Sequence, residues 1–216
     1  MLDFGKCFTF AIDRIKANPF FYLVAGLLTL LLPSIISFGL SLIISFVTSG
    51  ISRVLKIDSS MANIFAQIAG NIMNILVFCL IMGPVLAAFF REMESEDRDE
   101  NAQPASLMNC LDTYTQATVA YLISSVILGI GFLLCIIPGI LLSPIMPMSI
   151  FFVSRGDSAT NAIKKSYNII KCNPMTIFYT IVFCLVATMA CCICIIVTLP
   201  MAYAAFYKMM KQVLGE

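Results

Sequence analysis

The sequence contains no histidine, and only 12% of its 216 residues are charged. The lack of histidine removes the commonest general base, the Ser-His-Asp arrangement and most zinc sites. No phosphate-binding loop of the GxxxxGK[ST] or GxGxxG type is present. We therefore predict that the protein is not an enzyme, and no motif indicates a cofactor.

Charged residues are about half as frequent as in an ordinary soluble domain, whereas 60% of the residues are hydrophobic. So much apolar surface cannot all face a protein core, and we therefore expect lipid to be the solvent. The formal net charge of +1 gives no basic field, which argues against nucleic acid as a partner. We also expect no cleavable signal peptide, because no small-residue cleavage site follows the first apolar stretch.

Four runs without a charged residue follow one another along the chain, at 20–48, 61–90, 113–154 and 172–207. The first two are longer than the ~20 residues that cross a bilayer, so tilted helices or protruding ends are expected. The last two are too long to cross once as helices, and each must therefore turn back.

The turns of the two longest runs are predicted from helix-breaking residues. Ile137-Pro138-Gly139 supplies the break in the third run. The fourth run has Pro200 but no glycine, and its turn is expected within 192–199. Six spans with both termini inside leave only Arg53 and Lys56, of thirteen basic residues, on the outer side.

These features predict an all-α polytopic membrane protein with about six transmembrane helices arranged as three hairpins. A cytosolic amphipathic helix is expected before each hairpin, lying in the headgroup plane with its apolar side down. The charge distribution favours a bacterial cytoplasmic (inner) membrane, with multiple passes and cytosolic N- and C-termini.

Short segments recur along the chain and predict quasi-repeats within a single integral membrane domain, 1–216. The junction at 15–19 (IKANP) matches that at 170–174 (IKCNP), where Asn can cap a helix that Pro begins. The span exits at 87–93 and 204–210 are also alike. The predicted quasi-repeats are 1–93, 104–155 and 157–212.

Two polar stripes run along the first two spans, each on one helical face. They form the candidate functional site and consist of Asn63, Gln67, Asn71 and Asn74 on one span and Ser34, Ser37, Ser41 and Ser45 on the other. One hypothesis is a polar path, or a groove that binds a lipid headgroup or small solute. The alternative, favoured from the sequence, is that the stripes face each other and hydrogen-bond, which would hold the first hairpin together.

Other polar and sulfur-containing clusters are further candidate sites. Lys164, Lys165 and Lys171 form a candidate face for anionic lipid or a protein partner. The acidic block 92–100 is interpreted as a solvated loop. Cys191-Cys192-x-Cys194 could suggest a soft metal such as Cu(I), but three cysteines within four helical residues cannot all point one way, so no metal site is predicted. The nine cysteines are interpreted as reduced, mostly as small apolar fillers.

The stretch from Cys135 to Pro174 resembles a known family. It combines Cys135-Ile-Ile-Pro138-Gly139-Ile140, an apolar span, Ser158-x-x-x-Ala162-Ile163-x-x-Ser166 and Lys171-x-Asn173. This pattern is similar to the YciC-like bacterial inner-membrane proteins, and to the membrane domain attached to some glycerophosphodiester phosphodiesterases. The resemblance implies a six-span protein without an assigned activity. The phosphodiesterase catalytic domain has no counterpart in this sequence.

The most direct functional hypothesis is a non-enzymatic membrane protein that binds lipid or partner proteins, in an assembly, envelope or secretion role. A homo-oligomer is a further possibility for its partner. The alternative is a transporter or facilitator with a polar path between the first two spans. Proton-coupled pumping is disfavoured because no ionisable acid or base lies within the predicted spans.

Overall fold

The computed structural model describes residues 3–55, 59–97, 113–189 and 195–215. This part of the chain is helical throughout and contains no strand. The helices, in chain order, are α1 (Phe4–Ala17), α2 (Pro19–Leu55), α3 (Ser59–Asp97), α4 (Tyr114–Leu134), α5 (Ile136–Leu142), α6 (Ile145–Ser154), α7 (Ala159–Cys172), α8 (Met175–Met189) and α9 (Ile195–Leu214). The prediction of an all-α fold is confirmed for the described residues.

Four helical stretches are long and apolar enough to cross a membrane, which marks the chain as a membrane protein. They are Pro19–Gly50, Gln67–Asp97, Tyr114–Leu134 and Ile136–Ser154. Helix α8 is followed over 15 residues, up to Met189, where the described part of the chain breaks off until Ile195. The described helices therefore give four candidate spans, where the sequence analysis predicted six.

The two Asn-Pro junctions adopt nearly the same backbone conformation. Asn18 ends α1 with φ −131° and ψ 63°, and Asn173 ends α7 with φ −129° and ψ 79°. Each donates its backbone N–H to a carbonyl of the helix it ends, that of Arg14 or Ile169. In both places the chain leaves a 14-residue amphipathic helix and enters a more apolar one. The three quasi-repeats stay a prediction, and most of the second amphipathic segment, 104–112, lies outside the described residues.

The break in the third charge-free run lies earlier than predicted. Helix α4 ends at Leu134, and Cys135 is extended, with φ −172° and ψ 157°. Pro138 lies inside the first turn of α5, where its missing N–H breaks no helical hydrogen bond. Gly139 instead allows close packing, because a Cβ there would overlap the ring of Phe132. Expecting the break at residues 137–139 was therefore wrong.

The turn expected at 192–199 can be followed only in part. Residues 195–199 belong to α9, so they form no turn, and Pro200 lies within the same helix. Residues 192–194 lie outside the described part of the chain.

The amphipathic helices α1 and α7 pack on protein through narrow faces of small residues. Helix α1 lies on α9 and buries Cys7 and Ala11, whereas α7 lies on α6 and α4 and buries Ala162 and Ser166. These faces therefore belong to the protein core, and the expected position of both helices in the headgroup plane stays a prediction. The C-terminal end of α3 and the last turns of α9 lie beside them, and we call this side of the molecule the charged end.

Candidate functional site

The two polar stripes face each other between α2 and α3, away from the charged end. Ser41 and Ser45 of α2 and Gln67, Asn71 and Asn74 of α3 line a groove of about 360 Å³, together with Ile44 and Gly70. We call it the amide–serine groove. Gly70 adds no side chain and so widens the groove, and no other group lies within 4 Å of where its Cβ would be.

The other predicted stripe residues do not line this groove. Ser34 is exposed, and its hydroxyl donates to the Leu30 carbonyl of its own helix at 2.6 Å. Ser37 is half-buried, and its Oγ has no hydrogen-bond partner. Asn63 lies in α3, and its side chain is outside the described part of the structure. Five of the eight predicted residues are therefore brought together.

The structure records no hydrogen bond across the groove between the described serines and amides. The Ser41 hydroxyl donates instead to the Ser37 carbonyl of its own helix at 2.8 Å. The side-chain oxygen of Asn74 is buried and has no hydrogen-bond partner. A buried polar atom left unpaired costs about 1–3 kcal/mol. The hydrogen-bonded hairpin favoured from the sequence is thus not what the described contacts show.

A second, mostly apolar cavity lies on the other side of Asn74, between α3 and α4. Its volume is about 290 Å³, and it is lined by Asn74, Ile75, Phe78, Cys79, Tyr121 and Ser125. Asn74 thus borders both a polar groove and an apolar cavity. An amphipathic molecule has these two kinds of surface, and a small polar solute does not.

An aromatic cluster fills the space between the groove and the charged end. The rings of Phe21 and Phe89 stack with centroids 6.0 Å apart, and Phe90 lies edge-on to Tyr203 and Phe151 at 6.2 Å and 5.8 Å. The cluster consists of Phe21, Tyr22, Phe89, Phe90, Phe151, Tyr203, Phe206 and Tyr207. Such packing leaves no continuation of the polar stripes towards the charged end.

Acidic residues at the end of α3 are paired, not solvated. Asp97 accepts from Arg14 at 2.8 Å and from Lys211 at 2.6 Å, and Arg155 contacts Glu94 at 3.1 Å. Interpreting this part of the acidic block as a solvated loop was therefore wrong, because 92–97 continue α3. Residues 98–100 lie outside the described residues.

Glu96 is the most buried acid of this region, with 5% of its surface exposed. It accepts from the Asn18 side-chain amide at 2.6 Å and from the Tyr22 hydroxyl at 3.4 Å, and Arg14 lies 3.7 Å away. The contacts join α1, α2 and α3 at one point. We call Arg14, Glu94, Glu96, Asp97, Arg155 and Lys211 together the ion-pair layer. Sequence analysis missed it because the partners lie far apart along the chain.

The predicted lysine face on α7 is only partly available. Lys165 is exposed but pairs with Asp157 at 2.7 Å, and its amine lies 5.5 Å from the centre of the Phe152 ring. Lys164 and Lys171 are exposed on the same helix. The face therefore offers two cations towards solvent or a headgroup surface, together with one that is already paired.

Cysteines and metal ligands form no evident reactive centre in the described residues. No three His, Cys, Asp or Glu side chains there are arranged to hold a metal ion, and Cys191, Cys192 and Cys194 lie outside that part. Burial, with a smaller contribution from Asp3, raises the pKa of the Cys7 thiol to about 11. This thiol therefore stays protonated, and unreactive, at neutral pH.

Comparison with known proteins gave no match to a protein-family model, to a curated protein or to a solved structure.

Proposed function

We propose that this chain is a non-enzymatic integral membrane protein that binds lipid in the amide–serine groove. The observation that carries the proposal is the position of Asn74, which borders a polar groove on one side and an apolar cavity on the other. Ser45, Gln67 and Asn71 remain exposed, so the groove is open to molecules that arrive from the side. Binding a lipid needs only such access and a complementary surface.

The proposed topology keeps six membrane segments, with α8 and α9 as the third pair. Arg14 of α1 and Lys211 of α9 both pair with Asp97 of α3, and Arg155 at the end of α6 pairs with Glu94 of α3. These helix ends therefore lie on one side, which supports placing both termini there. We propose that this side is cytosolic and that the membrane is a bacterial inner membrane, as the charge bias and the YciC-like resemblance imply.

A second proposed role is attachment of an anionic lipid surface or a protein partner to α7. Lys164 and Lys171 are exposed and seven residues apart, hence on the same face of the helix. Replacing both with Glu should weaken binding to vesicles that contain anionic lipid, whereas an unchanged affinity would remove this role.

The alternative function is transport along the polar stripes. The adjoining groove and cavity favour it, because together they extend the accessible space around Asn74. The aromatic cluster disfavours it, because a solute would have to displace several packed rings. Transport predicts that Gln67→Leu with Asn71→Leu abolishes solute flux in proteoliposomes that contain the folded protein.

Lipid binding is tested by purifying the tagged protein from its own membranes in mild detergent and measuring bound lipid and protein by native mass spectrometry. The wild type should retain about one lipid, because a groove of this size holds one headgroup. The Gln67→Leu, Asn71→Leu double variant should lose it. Ile68→Leu is the matched control, since Ile68 is exposed on the same helix and does not line the groove. Equal lipid retention in all three proteins would contradict the proposal.

A further inference from the structure

The depth of the amide–serine groove places it in one leaflet of the bilayer. Arg91 is the first charged residue after the apolar part of α3. Measured from Arg91 along the helix, Asn74 lies about 26 Å away and Gln67 about 36 Å away, at 1.5 Å per residue. The hydrocarbon core is ~30 Å thick, so its midplane is passed well before Asn74. The groove therefore lies in the leaflet farther from the charged end.

The lining of the groove offers hydrogen bonds but no net charge. Gln67, Asn71 and Asn74 each carry an amide, which can accept through its oxygen and donate through its NH₂ group. The Ser41 proton is already used within α2, so this hydroxyl has only lone pairs left to offer. Among the described residues, the lining includes no acid and no base. An occupant with a net charge would therefore find no counter-charge among these residues, which is unfavourable in a region of low polarity.

The buried side-chain oxygen of Asn74 further restricts the kind of headgroup that the groove can bind. It has no hydrogen-bond partner among the described residues and almost no exposed surface, so the amide must rotate before an occupant of the groove can reach this oxygen. That occupant must bring an N–H or O–H donor. A primary ammonium carries three such donors, whereas a trimethylammonium carries none. The phosphate beside an ammonium can in turn accept from the NH₂ groups of Gln67 and Asn71.

We propose that the groove binds a zwitterionic phospholipid with a primary ammonium headgroup, taken from the leaflet farther from the charged end. The headgroup occupies the groove, and an acyl chain lies in the apolar cavity beside Ile75 and Phe78. This inference rests on the proposed lipid-binding function and adds the class of headgroup and the leaflet. It assigns the discrimination between headgroups to Asn74.

The test compares three phospholipids with identical acyl chains: phosphatidylethanolamine, phosphatidylcholine and phosphatidylglycerol. Each is added to delipidated full-length protein, and the bound fraction is measured by native mass spectrometry. We expect phosphatidylethanolamine to bind about 10-fold more tightly than the other two, as one charge-assisted hydrogen bond implies. Asn74→Leu should reduce this preference to near unity, whereas Ser34→Ala, outside the groove, should keep it.

The outcomes separate this inference from the function on which it rests. Equal binding of phosphatidylethanolamine and phosphatidylcholine by the wild type would overturn the choice of headgroup and leave lipid binding intact. Preference for phosphatidylglycerol would overturn the argument from charge. If none of the three lipids binds, both proposals fail. Should Asn74→Leu not fold, Asn74→Ala takes its place, because it removes the same amide without adding bulk between the helices.

Discussion

Helices α2 and α3 run side by side for most of their length, yet their two ends are packed in opposite ways. Near the charged end, Phe21 and Phe89 are each 2% exposed and lie within the aromatic cluster. Towards the far end, Phe38 and Phe46 are 67% and 82% exposed. The same residue type, on the same pair of helices, is protein core at one end and outer surface at the other.

This difference shows that apolar composition does not indicate which part of a membrane helix packs on protein. Lipid accepts an exposed phenylalanine as readily as a protein core does, because both surroundings are apolar. Close packing instead follows shape, as where Gly26 lets the backbone of α9 approach at Ile196. The charged end is held by such fits and by ion pairs, and the far end is left open for binding.

The largest expected effect comes from removing a ring at each end in turn. Phe89→Ala should lower the free energy of unfolding by about 3–4 kcal/mol, because the cavity is surrounded by rings that cannot collapse into it. Phe46→Ala should change the free energy of unfolding by less than about 0.5 kcal/mol, because the side chain contacts mainly lipid or detergent. Unfolding in mixed micelles with increasing dodecyl sulfate measures both. Equal losses would show that the far end is also packed on protein.

A smaller effect is expected from adding a single methyl group to each of two glycines of α2. A Cβ at Gly26 would collide with the Ile196 carbonyl of α9, so Gly26→Ala should push the helices apart and destabilise the protein by about 2–3 kcal/mol. Nothing lies within 4 Å of the corresponding position at Gly39. Gly39→Ala should therefore be neutral or slightly stabilising. Thermal unfolding in detergent compares the two, and a stable Gly26→Ala protein would disprove the close crossing.

The smallest of the three effects concerns the acids at the end of α3. Glu96→Ala removes the acceptor for Asn18 and Tyr22 and should cost about 2 kcal/mol, less than a fully buried pair because Arg14 stays partly hydrated. Glu92, which accepts a hydrogen bond from Ser95 of its own helix, is the matched control, and Glu92→Ala should cost less than about 0.5 kcal/mol. The same unfolding titration measures both variants. Similar losses would indicate that general charge, and not the buried contacts, matters there.

Much of the helical architecture could be predicted from the sequence, because the signals are local. The absence of charged residues identified the apolar runs. The Asn18-Pro19 and Asn173-Pro174 pairs identified the ends of the amphipathic helices. The break near Cys135 was misplaced because Pro138 is tolerated in the first turn of a helix, so its presence does not fix the turning point. The acids at the end of α3 were misread because their partners come from distant segments.

The candidate site shows the same division between local and long-range information. Helical periodicity alone predicted that Gln67, Asn71 and Asn74 lie on one face of α3, and this prediction required no knowledge of tertiary contacts. Whether the face meets Ser41 and Ser45 across a groove, and whether the hydroxyls bond across it or to their own helix, depends on how far apart α2 and α3 lie. That separation is decided by contacts elsewhere along the pair.

The sequence by itself determined that this chain is helical and belongs in a membrane, because low charge content and long apolar runs favour a lipid environment without any tertiary contact. Only the tertiary structure decided that the rings of Phe21 and Phe89 form a core, that Glu96 is buried among polar partners, and that Asn74 lies between a polar groove and an apolar cavity. The physical reason is that hydrophobicity specifies a solvent without specifying a neighbour. Neighbours are chosen by shape, hydrogen bonding and charge between segments that are distant in the chain.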